Sequence, residues 1–125
     1  MNNSGIGLYG IRRTFKKEIA TSETTFCRNS LRSGQKVEFE GSVVVLGDVN
    51  YGAEVIAGEN IVVLGNLRGL AHAGAKGNKQ AIISASCIEA PQIRISNIVK
   101  ECEKSDEDEI KTSAYLNEKD EIIIE

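Results

Sequence analysis

Val43-Val-Val-Leu-Gly-Asp-Val-Asn-Tyr-Gly-Ala-Glu-Val-Ile-Ala-Gly-Glu-Asn60 and the stretch that follows it, Ile61-Val-Val-Leu-Gly-Asn-Leu-Arg-Gly-Leu-Ala-His-Ala-Gly-Ala-Lys-Gly-Asn78, decide the fold. Laid one over the other, Val43 falls on Ile61, Leu46 on Leu64, Gly47 on Gly65, Val49 on Leu67, Ala57 on Ala75 and Asn60 on Asn78, at a constant offset of eighteen residues. A fixed short period signals a solenoid, in which each repeat buries its apolar face on the next. A finer period lies inside it: Leu31, Val37, Val43, Val49, Val55, Ile61, Leu67 and Ala73 are apolar and six apart. A helix face needs spacings of three and four, so six excludes a helical repeat. Six residues do make one side of a coil, a short strand and a corner, and three sides close an eighteen-residue turn. The expected fold is all-β: a triangular parallel β-helix with the six-spaced residues inside. Val and Ile suit its pleated strands, and glycines such as Gly34, Gly52 and Gly77 suit its corners.

Outward from this core, Thr25-Phe26-Cys27 falls on Val43-Val44-Val45 and predicts a first rung. Ala81-Ile-Ile-Ser-Ala85 continues Ile61-Val-Val-Leu-Gly65 after a two-residue slip at Lys79-Gln80, and the coil runs to about Ile95. Ala90-Pro91-Gln92 marks a corner, because proline cannot donate to a central ladder. Glu101 to Asp108 reads as an acidic solvated loop. Ala114-Tyr115-Leu116 and Glu121-Ile-Ile-Ile124 read as a hairpin that covers the open end of the solenoid. Residues 1–24 lie outside the repeat, with a possible strand at Gly5–Ile11 and a small basic cluster, Arg12, Arg13, Lys16 and Lys17, that reads as a solvated segment.

A chain of 125 residues with net charge −3 predicts one domain and gives no reason to expect a nucleic-acid partner. The three cysteines, Cys27, Cys87 and Cys102, lack metal-ligand spacing; Cys27 and Cys87 fall at inward positions and read as buried free thiols, which suits a reducing cytoplasm. No metal or other cofactor is expected. No apolar run approaches the ~20 residues of a membrane helix, and the start lacks a signal-peptide core.

Side chains alternate along a strand. With Val43, Val45, Ile61, Val63, Ala81 and Ile83 inward, Val44, Leu46, Val62, Leu64 and Ile82 point outward, so one side of the triangle is apolar outside as well. Such a patch marks an interface, and a flat side meeting its own copy gives a two-fold homodimer; the bland alternative is that the hairpin or residues 1–24 cover it. The other sides carry Arg32, Asn50, Arg68, Glu54 and His72 outward. Arg32 and Asn50, eighteen apart, stack one rung or ~4.8 Å from each other, with Arg68 a rung further on.

Leu31-Arg-Ser-Gly-Gln35, Val45-Leu-Gly-Asp-Val-Asn50, Gly52-Ala-Glu-Val-Ile-Ala-Gly58 and Leu67-Arg-Gly-Leu-Ala-His-Ala-Gly74, with the closing Ala114-Tyr115-Leu116 and Ile122-Ile-Ile124, resemble the C-terminal domain of the septum site-determining MinC family. The resemblance covers roughly Leu31 to Ile95 with the motifs in unbroken order. It implies a right-handed β-helix over residues 25–125, dimerisation through one face, binding to the membrane-associated ATPase MinD, recruitment from the cytoplasm to the membrane through MinD alone, and action against the division polymer protein FtsZ. It also implies that Arg32-Ser33-Gly34-Gln35 belongs to the MinD-binding surface with Glu54 as its acidic member; Asn50 and Arg68 join them by stacking. Family members usually carry a separate N-terminal domain against FtsZ; residues 1–30 are too short to be it, so the resemblance implies a fragment, a truncated product or a reduced paralogue with residues 1–24 as a linker or remnant, and it does not carry direct action on FtsZ over to this chain.

Two other classes compete. A hexapeptide-repeat acyltransferase shares the six-residue period and uses a histidine base; His72 is the single histidine, and it reads instead as an exposed residue beside a corner. A structural polymer of stacked solenoids needs open ends, which the terminal hairpin argues against. Gly74-Ala-Lys-Gly-Asn-Lys79 lacks phosphate-loop spacing and reads as a corner. The expectation is a non-enzymatic division regulator.

Overall fold

The computed structural model describes residues 23–102 and 109–125. The strands are β1 (Thr24–Cys27), β2 (Lys36–Phe39), β3 (Ser42–Val45), β4 (Glu54–Ala57), β5 (Ile61–Leu67), β6 (Leu70–Ala73), β7 (Ile83–Ile88), β8 (Gln92–Ile95), β9 (Ile98–Glu101), β10 (Ser113–Leu116) and β11 (Ile122–Ile124). They form a β-solenoid. One sheet stacks β1, β3, β5 and β7 and continues into β10 and β11; a second stacks β2, β4, β6 and β8 and continues into β9. The third side of the triangle is a column of single bridges, Leu31 to Val49 to Leu67. The strand expected at Gly5–Ile11, the basic cluster from Arg12 to Lys17 and the part of the acidic loop at 103–108 lie outside the described residues.

The predicted register holds through the lower rungs. Thr25 pairs with Val43, Val43 with Ile61 and Val37 with Val55. Val43, Val49, Val55, Ile61, Leu67 and Ala73 are fully buried, Leu31 nearly so, and Val37 half-buried against the same core. Burying a Val or Ile side chain is worth about 1.5–3 kcal/mol, so this column is the main store of stability. Backbone donors that miss the ladder at the corners find side chains. Ser30 Oγ accepts from Asp48 N–H at 2.9 Å, and Asp48 Oδ1 from Asn66 N–H at 2.7 Å. Across the next corner Ser42 Oγ accepts from Asn60 N–H at 3.1 Å, and Asn60 Oδ1 from Ile82 N–H at 2.9 Å. Each of these side chains satisfies the rung above it, which removes the cost of an orphaned donor.

Three length changes depart from the eighteen-residue rule. First, Ile83, not Ala81, stands on Ile61: the connection between β6 and β7 is six residues longer than the one a rung below, which after the two lost at Gly69 leaves a net excess of four rather than the expected two. The difference is even, so Ala81 and Ile83 still face inward and Ile82 outward, but Ser84 now stands on Val62. Second, a bulge after Val63 shifts the register by one, so Cys87 lies opposite Asn66 and Ile88 opposite Leu67. An odd shift exchanges the two faces of a strand. Cys87 is therefore not at the inward position expected of it; Ile88 packs on the core instead. Third, Val55 is followed by Ala71 rather than Ala73. Rung three is two residues short there, because Arg68-Gly69 replaces a four-residue turn. Gly69 lies so close above the turn at Asn50–Ala53 that a Cβ there would clash with the Ala53 carbonyl oxygen.

Above the fourth rung the chain reverses. β9, which the sequence reading placed partly in a loop, is antiparallel to β8 through the turn at Ser96-Asn97, where Ser96 has φ +57°. Pro91 stands at the predicted corner, just before β8. The expected hairpin is present, with Ala114 opposite Ile124 and Leu116 opposite Ile122, and β10 pairs antiparallel with β7 at Ser113–Ser84. Both sheets thus end in antiparallel strands, which cap the C-terminal end of the column.

Candidate docking surfaces

Two surfaces emerge from this register. The first is a ledge on the short third side. Arg32-Ser33-Gly34-Gln35 is a tight turn: Gln35 N–H donates to the Arg32 carbonyl at 2.9 Å, and Gly34 has φ +89°. One rung on, Asn50-Tyr51-Gly52-Ala53 repeats it, with Ala53 N–H on the Asn50 carbonyl at 3.0 Å and φ +84° at Gly52. Positive φ at the third position of a turn is what glycine supplies. The turns are tied together by Gly34 N–H on the Gly52 carbonyl at 2.9 Å. Arg32 is further fixed by its own N–H on Gln35 Oε1 at 2.7 Å, and Asn50 Nδ2 donates to the Leu31 carbonyl at 2.9 Å. Gln35 and Asn50 therefore spend side-chain capacity on holding the ledge, while Arg32 stays exposed.

Arg32, Asn50 and Arg68 stack as the eighteen-residue offset requires: Asn50 N–H reaches the Leu31 carbonyl at 3.0 Å and Arg68 N–H the Val49 carbonyl at 2.8 Å. The sequence reading did not find the fourth member, Glu89, whose N–H bonds the Leu67 carbonyl at 2.8 Å. Glu89 Oε1 lies 3.3 Å from Arg68 Nε. Arg68 is thus half-buried and ion-paired, whereas Arg32 forms no ion pair among the described residues. Glu54 is half-buried, between Lys36 below and Leu70 above, and it does not pair with Arg32. The reading also passed over Tyr51, 62 % exposed at the crest of the upper turn.

The second surface is the outer face of the β1–β3–β5–β7 sheet. Phe26, Val44 and Val62 form one column, and Ser84 tops it. Leu46 and Leu64 lie beside them and are 42 % and 59 % exposed. Ile82 is exposed too, at the margin of the patch, where its N–H meets Asn60 rather than on the Val62 column expected for it. Phe26 is 60 % exposed and belongs to the patch through its register with Val44, a member that the sequence analysis did not include. The C-terminal hairpin prolongs this sheet at its edge and leaves these side chains open.

His72 is half-buried rather than exposed, between Ile56 and Arg94 on the outer face of the second sheet. Its Nε2 lies 2.7 Å from the Ser96 carbonyl oxygen. A carbonyl only accepts, so Nε2 carries the proton and donates, which leaves Nδ1 as the ring's acceptor nitrogen. Cys27 and Cys102 pack against the core, and burial pushes both thiols up, at Cys102 against the opposing pull of Lys100. Among the described residues no group of acidic, histidine and cysteine side chains could hold a metal, and no helix is long and apolar enough to cross a membrane.

Comparison with known proteins fits this geometry. The family model of the septum formation inhibitor MinC, C-terminal domain, matches residues 25–125. The chain belongs to the MinC C-terminal domain family. It is 47 % identical over 97 residues to the probable septum site-determining protein MinC of Geobacillus thermodenitrificans, a match covering 76 % of this chain and 43 % of the relative. With the homologue of Heliobacterium modesticaldum it shares 53 % identity over 74 residues, 59 % of this chain and 26 % of that one. The chain thus spans less than half the length of these curated relatives. Among solved structures it is similar to a chain of the MinC:MinD cell division protein complex of Aquifex aeolicus, at TM-score 0.76 and 36 % identity, over 83 % of this chain and 86 % of that chain.

Proposed function

We propose that this chain is a dimeric adaptor that binds the ATPase MinD and, through it, reaches the membrane to hold the division polymer FtsZ away from wrong sites. The observation that carries the reading is the pair of stacked turns presenting Arg32, Ser33 and Asn50 on a solenoid similar to one found in a MinC:MinD complex. Hydrogen-bonded turns hold a guanidinium with no ion-pair partner among the described residues, and a planar donor fork of that kind matches a partner's carboxylate. Ser33, Gly34 and Gln35 shape the lower turn, Glu54 faces a basic group at the margin, and Arg68 supports the upper end through Glu89. Val44, Leu46, Val62, Leu64 and Ile82 form the homodimer face, with Phe26 added. The role is binding rather than catalysis, in the cytoplasm, with no cofactor and no nucleic acid; FtsZ is reached through the assembled complex.

The test is a pull-down of the purified chain with MinD in ATP and in ADP, followed by affinity measurement. Binding in ATP is expected, and Arg32→Ala weakens it by ~1.5–3 kcal/mol, or roughly ten- to a hundredfold, with the melting temperature and dimer unchanged. Glu54→Ala behaves alike. Wild-type affinity in both variants, or loss only through unfolding, refutes the assignment of this surface.

A further inference from the structure

The two-turn ledge ends abruptly. Rungs one and two each project a turn, Ser33-Gly34 and Tyr51-Gly52, but rung three runs straight from Arg68 through Gly69 into β6. Gly69 N–H bonds the Val49 carbonyl at 3.1 Å and Leu70 N–H the Ala53 carbonyl at 3.0 Å, so the short rung stays hydrogen-bonded while lying back from the turns below it. The result is a step in the solenoid wall. Tyr51 stands at its lip and Leu70 in its recess, 62 % and 37 % exposed. Half-buried Arg68, paired with the exposed Glu89, bounds the step on one side, and Glu54 lies directly beneath Leu70. Exposed aromatic and aliphatic side chains flanked by polar groups have the make-up of an interface anchor site, where tyrosine is over-represented.

We propose that this step is the anchor pocket of the MinD-binding surface: a large apolar side chain of the ATPase seats between Tyr51 and Leu70 while a neighbouring carboxylate meets Arg32. The proposal rests on the functional reading above and deepens it. Charge complementarity selects the occupant. Arg32 is the cation of the ledge without an ion pair among the described residues, whereas Arg68 is neutralised by Glu89. A second copy of this chain would bring a second Arg32 towards the first, so self-association on this face is disfavoured, and the apolar patch suited to it lies on the other sheet. The charged rim gives register, and the apolar step gives the desolvated centre that slows dissociation. Tyr51 and Leu70 are then specificity-determining residues that no spacing rule marks.

The decisive measurement is the affinity of the purified chain for MinD with ATP in four forms: wild type, Tyr51→Ala, Tyr51→Phe and Leu70→Ser, with Arg32→Ala as reference. Both side chains are exposed, so the fold and the dimer should persist, checked by melting and light scattering. Tyr51→Ala and Leu70→Ser should each weaken binding roughly tenfold, and Tyr51→Phe should bind nearly as wild type, because the ring is what is used. Wild-type affinity in Tyr51→Ala and Leu70→Ser while Arg32→Ala loses binding overturns the step and leaves the wider reading intact. A wild-type chain that does not bind MinD overturns both.

Discussion

Gly52 is built directly against Ser33: a Cβ on Gly52 would lie 2.3 Å from Ser33 Oγ and 3.0 Å from Ser33 Cβ. The upper turn of the ledge settles onto the lower one only because the residue at 52 has no side chain. Gly34, with a similar positive φ, has nothing within 4 Å of its would-be Cβ. The two glycines therefore separate backbone strain from crowding. Gly34→Ala should cost about 1 kcal/mol from the left-handed backbone alone. Gly52→Ala should cost more, roughly 2–4 kcal/mol, since strain and overpacking add. Thermal melts of the two variants compare these costs directly; equal losses would show that the Ser33 contact is soft.

The proposed dimer face gives a second expectation. Val62 is half-buried at the centre of the patch formed by Phe26, Val44, Leu46 and Leu64. Val62→Lys would bury an unpaired charge between protomers, at several kcal/mol. Light scattering should report a folded monomer. A Val62→Lys protein that stays dimeric means that the copies meet elsewhere.

In the core, Leu67 is fully buried at the end of β5, where it bridges Val49 on the rung below and pairs with Ile88 on the rung above. Leu67→Ala should destabilise by about 2–5 kcal/mol, the range for a partly relaxed cavity. Chemical denaturation would measure it, and a loss well under 1 kcal/mol would mean that the column collapses to fill the space.

Tyr115 offers a pH test. Its hydroxyl donates to Glu125 Oε2 at 2.7 Å, and this bond first, then partial desolvation and the carboxylate's charge, raise the phenol above its ordinary value. The raised group contributes stability that is complete below the ordinary phenol range, near ~10, and is lost as pH rises through the raised value. Glu125→Gln should move the phenolate absorbance transition of Tyr115, identified by its loss in Tyr115→Phe, to lower pH. An unmoved transition would mean that the carboxylate does not hold the phenol.

Much of this fold was legible because the inward residues repeat. The column from Leu31 to Ala73 needed only periodicity. What was not legible was length: the six-residue insertion before β7, the bulge after Val63 and the two-residue shortening at Gly69 each change where the next rung begins. Even changes preserve which face a side chain takes, so Ile82 was placed outward despite a wrong partner. The odd change at the bulge exchanged Cys87 and Ile88, and no local signal in Ser84-Ala-Ser-Cys87 announces it. The ledge was visible through its motif and the Arg32–Asn50–Arg68 stacking. Glu89 was hidden by the same bulge, and Tyr51 and Leu70 by the missing turn, because a step is a relation between two rungs and not a property of either.

The corner side chains that receive the next rung's N–H groups also make a circuit of this chain transferable. Ser42 to Glu59 begins and ends at equivalent points, one storey apart, and carries at its corners the acceptors that its successor requires. An in-frame duplication of that segment would meet the register of β5 as the original does. It would heighten the apolar face by one storey and add a third turn to the ledge. The antiparallel strands that close the column would ride upward unchanged. Copying that segment would thus change the height of the column without changing how the column is ended.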